Sequence, residues 1–505
     1  MNNYKKWMKA TLALMLALLL LGVGLVVAVD PFFHYHARLP GLSYPFNLEN
    51  YQNPGIVQHF EYDSLLTGSS VTMEFKPSLF GELMGENMVK VPHSDASLLT
   101  LKHTLGLALE HNKDLKTVYY GLDHWALARN PERLSTPLPE YLYDQNPFND
   151  TEYILNKDIL FGNTLGVFEN TITQGGYDDF DTAYTQDYGF ICRESIAVAR
   201  YLETEVPQSE AVAASFDLEL MLDNTRANLE NNLLPLITQN PDTTFVVFFT
   251  PGSILYWYDI VTYKNLDAAF TQLEMALDAL LPQPNVELYF FMDVEDIVCN
   301  LYYYFDWIHY DPAIHEYMTR SFAEGRHRLT EGNRADTLGH MREIVEGYDF
   351  DTLFGTTSVP MKGAAGLAEY SATLADERYI TFLAVQGDAL PVASPELDTA
   401  LVQMGLAGPE AGAQAYAAIA GQGVSLPAQR SGGAGGIALS AEVEGLACEL
   451  ESGPTASVVI DGVEYAQQLP GVNLVVWDNT YGRVVDSAAF APEDWTARRR
   501  TNPRP

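Results

Sequence analysis

At 505 residues the chain is long enough for roughly two to four domains, and its 47% apolar content suffices for well-filled cores. With 29 basic against 66 acidic residues it carries a net charge of −37. That balance excludes a nucleic-acid partner, whose binding needs clustered Lys and Arg to release counterions, and it suits a surface facing an extracytoplasmic medium.

Residues 1–9, MNNYKKWMK, place Lys5, Lys6 and Lys9 ahead of an apolar run from Ala10 to Val29. At about 1.5 Å per residue this run crosses a hydrocarbon core of about 30 Å. Lysines before the run and none just after it predict a cytoplasmic N-terminus, with everything from Asp30 onward outside the cell membrane. A cleaved signal peptide would have a shorter apolar region, of about 7–15 residues, ending in an A-x-A-like site. Here the run ends VVAVDP, and Trp7 on one side with Phe32, Phe33 and Tyr35 on the other suits two interfaces. The expectation is a single-pass signal anchor over 10–29, with the lipid bilayer as its partner.

The next strong signal is YDSLLTGSSVTMEF. Ser64–Thr67 reads as a buried strand, Gly68 as the crowded turn that ends it, and Val71–Phe75 as a helix start before Pro77. Ser69 and Ser70 stand at that helix N-terminus, where a serine either caps the helix or serves as a nucleophile beside free N–H groups. Further strands are expected around Thr117–Tyr120, Thr244–Phe249 and Val286–Phe291, and helices over Ala211–Gln239, Leu266–Leu281 and Pro312 to about Gly347. This alternation predicts an α/β layer with a mostly parallel sheet, whose ligands gather beyond the carboxyl ends of the strands. Near Thr356 the composition shifts to Ala, Gly, Ser and Val. GTTSVPMKGAAG reads as a linker, RYITFLAV, ASVVIDG and NLVVWD as strands, QRSGGAGG as a flexible loop, and TARRRTNPRP as a disordered tail. A β-rich second domain of roughly 150 residues fits there.

YYYFDWIHYDPAIHEYM sets Asp306 three residues before His309, just ahead of a helix start at Asp311-Pro312. An aspartate at that spacing orients an imidazole, which then acts as general base toward a serine elsewhere in the fold. Strand-Gly68-Ser69-Ser70 together with Asp306-x-x-His309 resembles the SGNH/GDSL hydrolase superfamily over about Asn53–Gly347. DPFFHYH, YQNPGIVQHFEYD and the HY after Ile308 are similar to a membrane-anchored subgroup of it. The resemblance implies a three-layer α/β fold and selects Ser70 as nucleophile, His309 as base and Asp306 as its orienting carboxylate. It also implies an oxyanion hole at the Ser70 backbone and in two further blocks. The counterpart of the second is VPHSDAS, with Asp95 at the expected glycine; that of the third is Gly121-Leu122-Asp123-His124, with Asp123 in place of asparagine. An ionised Asp123 cannot donate the hydrogen bond an amide would.

Tyr256 and Trp257, beyond the strand at Thr244–Phe249, are candidates to line a substrate cleft, with core packing as the alternative. His34 and His36 read as part of an interfacial aromatic cluster rather than metal ligands, and Asp178, Asp179 and Asp181 as a solvated loop rather than a calcium site. Cys192, Cys299 and Cys448 give no disulfide framework and read as buried apolar residues. Asn149-Asp150-Thr151 is a glycosylation sequon. ERYITFLAVQGDA, LVQMGL, AYAAIAGQG, VVIDGVEYA and GVNLVVWDNTYGRVVDSAAF together resemble the ILEI/PANDER domain over about Glu369–Phe490, which implies a non-catalytic β-rich module with a link to glycans.

The expected organisation is therefore a cytoplasmic segment 1–9, an anchor 10–29, an SGNH-like domain 30–350, a linker 351–368, an ILEI/PANDER-like domain 369–492 and a tail 493–505. The expected activity is hydrolysis or transfer of acyl groups on envelope or extracellular glycans, with no metal and no cofactor. An acyl-donating multi-pass membrane protein is a further expected partner. The alternative is a non-catalytic glycan-binding or adhesion protein on a degenerate SGNH scaffold.

Overall fold

The computed structural model describes residues 2–144, 146–173, 179–186, 192–205, 208–209, 217–354, 361, 364–376, 378–387, 390, 394–421, 428–443, 445–479 and 482–499. Asn2–Val29 form a single helix, α1, whose leucines from Leu12 to Leu21 are exposed while Val26 and Val29 at its end are buried. Tyr4–Val29 is long and apolar enough to cross a membrane, as an anchor or a signal sequence would be.

Asp30 stops this helix in the left-handed region at φ 51°. Its buried carboxylate accepts the N–H groups of His34 (3.0 Å), Tyr35 (2.6 Å) and His36 (2.9 Å) and the Tyr153 hydroxyl (2.6 Å). DPFFHYH is thereby folded into a tight nest, and His34 Nε2 turns to Asp150 at 3.2 Å. No group of three or more metal-ligating side chains occurs among the described residues. Helix α2 (Glu49–His59) packs so closely here that a Cβ on Gly55 would stand 2.3 Å from the Phe32 carbonyl oxygen.

The main sheet has the order β2 (Met88–Lys90), β1 (Ser64–Thr67), β3 (Thr117–Leu122), β4 (Thr244–Phe249), β5 (Val286–Phe290), β6 (Arg328–Leu329). The first five are parallel and β6 runs antiparallel to β5. β1, β3 and β4 are apolar and almost wholly buried, as central strands covered on both faces must be. Helices α3 (Pro77–Met84) and α4 (Leu98–His111), Leu266–Leu280 and Pro312–Glu324 cover this sheet through one large core.

Three local expectations are corrected. Val71–Phe75 is not a continuous helix but one 3-10 turn, Ser70–Thr72, then a turn at Met73–Glu74 and a short link to α3. The carbonyls of Met73 and Phe75 are drawn to the Lys90 ammonium, and Lys76 is extended because a proline follows it. The stretch Pro312–Gly347 is two helices: Gly325 ends the first at φ 66°, and the chain returns as β6 before Arg334–Gly347. The described part of Ala211–Gln239 is helical from Leu218, with a widened turn over Asn228–Leu233. Pro235 has no N–H for the Asn231 carbonyl, which instead accepts the Lys102 ammonium at 2.9 Å.

The C-terminal part forms β7 (Tyr379–Gln386), β8 (Ala415–Gly421), β9 (Ala428–Gly432), β10 (Ile437–Val443), β11 (Leu446–Ser452), β12 (Ser457–Ile460), β13 (Val463–Glu464), β14 (Gly471–Asp478), β15 (Arg483–Phe490) and β16 (Ala497–Arg498). They make two antiparallel sheets, ordered β16-β15-β14-β7-β8-β9 and β10-β11-β12-β13. Asp461 and Gly462 both take positive φ in the hairpin after Ser457–Ile460 (β12). QRSGGAGG is not merely a loop, since Ala428–Gly432 forms edge strand β9 and pairs β8 (Ala415–Gly421) before the turn. The tail is also partly fixed. Trp495 is buried, Ala497–Arg498 pairs as β16, and the Arg499 guanidinium grips buried Asp486 at 2.6 and 2.9 Å. Paired charge holds this basic segment to the sheet; residues 500–505 lie outside the described part, as does most of GTTSVPMKGAAG. Tyr302 joins the core of the C-terminal sheets, and Asn300 donates to Tyr465 Oη at 2.8 Å, so the two parts share an interface.

Candidate active site

β1 delivers the serine turn to the carboxyl end of the sheet. Gly68 is required there by crowding: a Cβ would lie 2.5 Å from Thr72 Cγ2 and 3.3 Å from the Gly121 Cα. Thr72 cannot give way easily, because its hydroxyl donates to the Ser69 carbonyl at 2.7 Å. Ser69 makes no side-chain cap, and Ser70 opens the 3-10 turn half-buried.

The opposing loop follows the turn Leu301–Tyr303 and is closed by a Tyr304–Tyr310 bridge and by the Phe305 N–H on the His309 carbonyl at 2.9 Å. Asp306 Oδ1 accepts the N–H groups of Ile308 (2.9 Å) and His309 (2.8 Å), and Oδ2 faces His309 Nδ1 at 2.8 Å. His309 Nε2 then lies 2.8 Å from Ser70 Oγ. With Nδ1–H donated to Asp306, Nε2 is left to accept the Ser70 proton. Beneath the loop, the Trp307 carbonyl accepts both the N–H (3.0 Å) and the hydroxyl (2.8 Å) of Ser253, which fixes it to the end of β4.

Burial opposes charge on both partners, yet each sustains the other. Burial alone would raise the Asp306 carboxyl, but the His309 charge and the N–H bonds hold it below the usual carboxylate range. Burial likewise disfavours imidazolium, and Asp306 overrides it to raise His309 above its ordinary value. Arg200, stacked 3.7 Å from the centre of the Phe305 ring, works weakly against that rise.

Asp123 ends β3 beside this turn. It is buried, its Oδ1 accepts the Thr250 hydroxyl at 2.8 Å, and burial pushes its carboxyl up to about 6. Asp95 takes a left-handed backbone, φ 50°, where glycine is most at ease, and its carboxylate turns outward to Arg129. The chain beside it runs along the serine turn, with the His93 N–H on the Gly68 carbonyl at 3.0 Å.

Tyr256 and Trp257 are not brought to Ser70. Trp257 is wholly buried, its indole stacked on the His124 ring at 5.8 Å, so its assignment to a cleft is corrected to core packing. The preceding Ser253 caps their helix and turns that face inward. Tyr256 bonds His124 Nδ1 at 2.5 Å and borders a separate cavity of about 260 Å³ with Trp125, Leu220 and Met221. Asp179 and Asp181 cap their own loop and Ser78, and Asp178 lies outside the described residues. Among the described residues Cys192, Cys299 and Cys448 form no disulfide; Cys192 and Cys448 are buried as expected, and Cys299 is half-buried. Two supporting residues escape a reading of the sequence: Thr250, for which a hydroxyl just past a strand end was the only signal, and Lys90, a lone cation in an apolar strand.

No family model matches the chain, and no curated protein matches it. Among solved structures, a Streptococcus pneumonia protein whose name refers to platelet activating factor is similar at 12% identity and a TM-score of 0.29, over 55% of this chain and 90% of that one. A likeness of that size carries no argument, and the functional reading rests on the site itself.

Proposed function

We propose that this chain is a membrane-anchored, outward-facing ester hydrolase or O-acyltransferase of SGNH type that acts on acylated glycans. The observation that carries the reading is the unbroken series Asp306 Oδ2–His309 Nδ1 and His309 Nε2–Ser70 Oγ, each 2.8 Å. In such a series Ser70 Oγ attacks the acyl carbon while its proton passes to His309 Nε2. The carbonyl electron pair moves onto oxygen, and collapse of the intermediate expels the alcohol, which takes the proton from His309. Water then releases the acid, or a second hydroxyl receives the acyl group.

The glycan part of the reading is supported by a cavity of about 680 Å³ shared by the α/β and C-terminal parts. Tyr302, Tyr303, Tyr348, Tyr465 and Trp477 line it together with carboxylates, a mixture suited to stacking on sugar rings and bonding their hydroxyls. Tyr302 and Tyr303 of its wall stand three to four residues before Asp306 in the chain, while Ser70, Asp306 and His309 themselves do not line it. We assign the C-terminal sheets to an ILEI/PANDER-like module that presents the glycan, and α1 to the anchor. The reading is tested by measuring acetate release from O-acetylated polysaccharide by the purified outer part and its Ser70→Ala variant. Release that Ser70→Ala abolishes supports it; binding of the polysaccharide without release by either protein favours the non-catalytic alternative. A tag after Pro505 should be removed when intact cells are treated with protease, and a protected tag would contradict the orientation.

A further inference from the structure

Asp123 occupies the place on β3 that Ser70 occupies on β1. The strands pair in parallel with Thr67 opposite Tyr120, so each of the two residues lies three positions past a matched pair. Gly68 and Gly121 let the two strand ends approach: a Cβ on Gly121 would stand 2.6 Å from Thr72 Cγ2, within the serine turn. Thr250, at the end of β4, donates to Asp123 Oδ1 at 2.8 Å, and the carboxyl also meets the Ser69 side chain.

Burial is what keeps this carboxyl protonated against the hydroxyls that favour its anion. Tyr120 on its own strand, Tyr256 from the helix after Ser253 and Tyr310 from the histidine loop are phenols whose ionisation burial pushes up, so they stay neutral. The Ser69 and Thr250 hydroxyls, then Arg129, whose guanidinium is already held by Asp95, and His309 across the site favour the anion, but burial outweighs all four. A carboxylic acid with one oxygen accepting from Thr250 still has an O–H to give.

We propose that Asp123 works as a neutral carboxylic acid whose O–H donates a hydrogen bond to the oxyanion formed when Ser70 attacks an ester, so that its proton switches the reaction on. The inference rests on the serine-hydrolase reading above. Asp123 keeps its proton throughout, since the Ser70 proton goes to His309 and returns to the leaving alcohol. In its ionised state the same side chain opposes the developing negative charge, and the donor is lost.

Two requirements then pull apart: His309 must be neutral, which favours higher pH, and Asp123 must be protonated, which favours lower pH. An ordinary serine-histidine pair reaches a plateau above the histidine value, whereas here the rate must fall again on the alkaline side. The test is kcat/KM for p-nitrophenyl acetate between pH 5 and 9, for the wild-type full-length protein in detergent, Asp123→Asn and Asp123→Ala. The wild type should lose about tenfold per pH unit on its alkaline limb, as loss of a single proton dictates. Asp123→Asn, which keeps a donor at every pH, should have no such limb and should be faster above neutrality. Asp123→Ala should be slower than Asp123→Asn at every pH, by about 100-fold or more. The carboxyl carbon resonance of Asp123 should titrate near 6, against Asp123→Asn as the assignment control. Superimposable pH profiles for wild type and Asp123→Asn, or titration near 4, overturn the inference. If Ser70 takes a fluorophosphonate and these results are found, only the inference fails. If Ser70 takes none and no variant turns over ester, the hydrolase reading fails and the inference with it.

Discussion

Ser70 and His309 are 239 residues apart in sequence and 2.8 Å apart in space, joined across the carboxyl end of the parallel sheet. Neither side chain is placed by its neighbours in the chain alone. The serine is fixed by a glycine contact with β3, and the histidine by an aspartate that binds it through both backbone and ring.

Asp306→Asn should lower kcat/KM by roughly 10⁴-fold, because an amide donor facing Nδ1 forces the proton onto Nε2 and leaves Ser70 without an acceptor. The pH dependence has a definite sign. His309 is raised, so its share of the pair's stability is fully present below the ordinary value of 6.5 and is lost as pH rises through the folded value. Asp306 is depressed, so its share is present above 3.8 and is lost as pH falls through the folded value. Thermal melts of wild type and Asp306→Asn should therefore differ most near pH 5 and less at pH 8. The acid limb of any residual activity should move to lower pH in the variant.

Gly121→Ala puts a methyl group 2.6 Å from Thr72 Cγ2 and 3.3 Å from Phe248 Cζ. It should cost about 1–3 kcal/mol of stability and displace the serine turn. Thr72→Ser removes Cγ2 and keeps the hydroxyl bond to Ser69. The double variant should recover much of the activity lost in Gly121→Ala, as a double-mutant cycle would measure. Equal losses in the single and double variants would contradict the proposed contact.

Lys90 is fully buried, and burial lowers its ammonium to about 7. A lysine depressed in the fold binds fewer protons folded than unfolded between that value and 10.5, so stability rises with pH across the interval. Lys90→Met removes this gain and also the donors to the Met73 and Phe75 carbonyls. Denaturant melts should show wild type gaining on Lys90→Met from pH 7 to pH 9; a constant difference would contradict it.

The strands were legible because their apolar runs are short and stop at turn residues: Leu65–Thr67 ends at Gly68, and the aromatic and β-branched Phe245–Phe249 ends just before Pro251-Gly252. Asp306-x-x-His309 was legible because its spacing serves a single local turn. What sequence periodicity misses is whatever a distant group decides. Lys90 unwinds Val71–Phe75 by taking two of its carbonyls, Asp486 anchors a basic tail that composition alone assigns to solvent, and Trp257 turns inward because Ser253 sets its helix start. Asp123 reads as a defect when taken as an anion, and only its burial with Thr250 shows that a neutral acid is within reach.

The central claim is tested most directly by treating the purified protein with a fluorophosphonate probe and locating the adduct by peptide mass spectrometry. A single adduct on Ser70 is predicted, retained by Ser69→Ala, abolished by Ser70→Ala and reduced at least 100-fold in rate by His309→Ala. Ser70→Ala should fold normally, since a turn hydroxyl contributes only about 1 kcal/mol as a cap. Wild-type protein that is folded yet never labelled, or labelling that survives Ser70→Ala, would contradict the account.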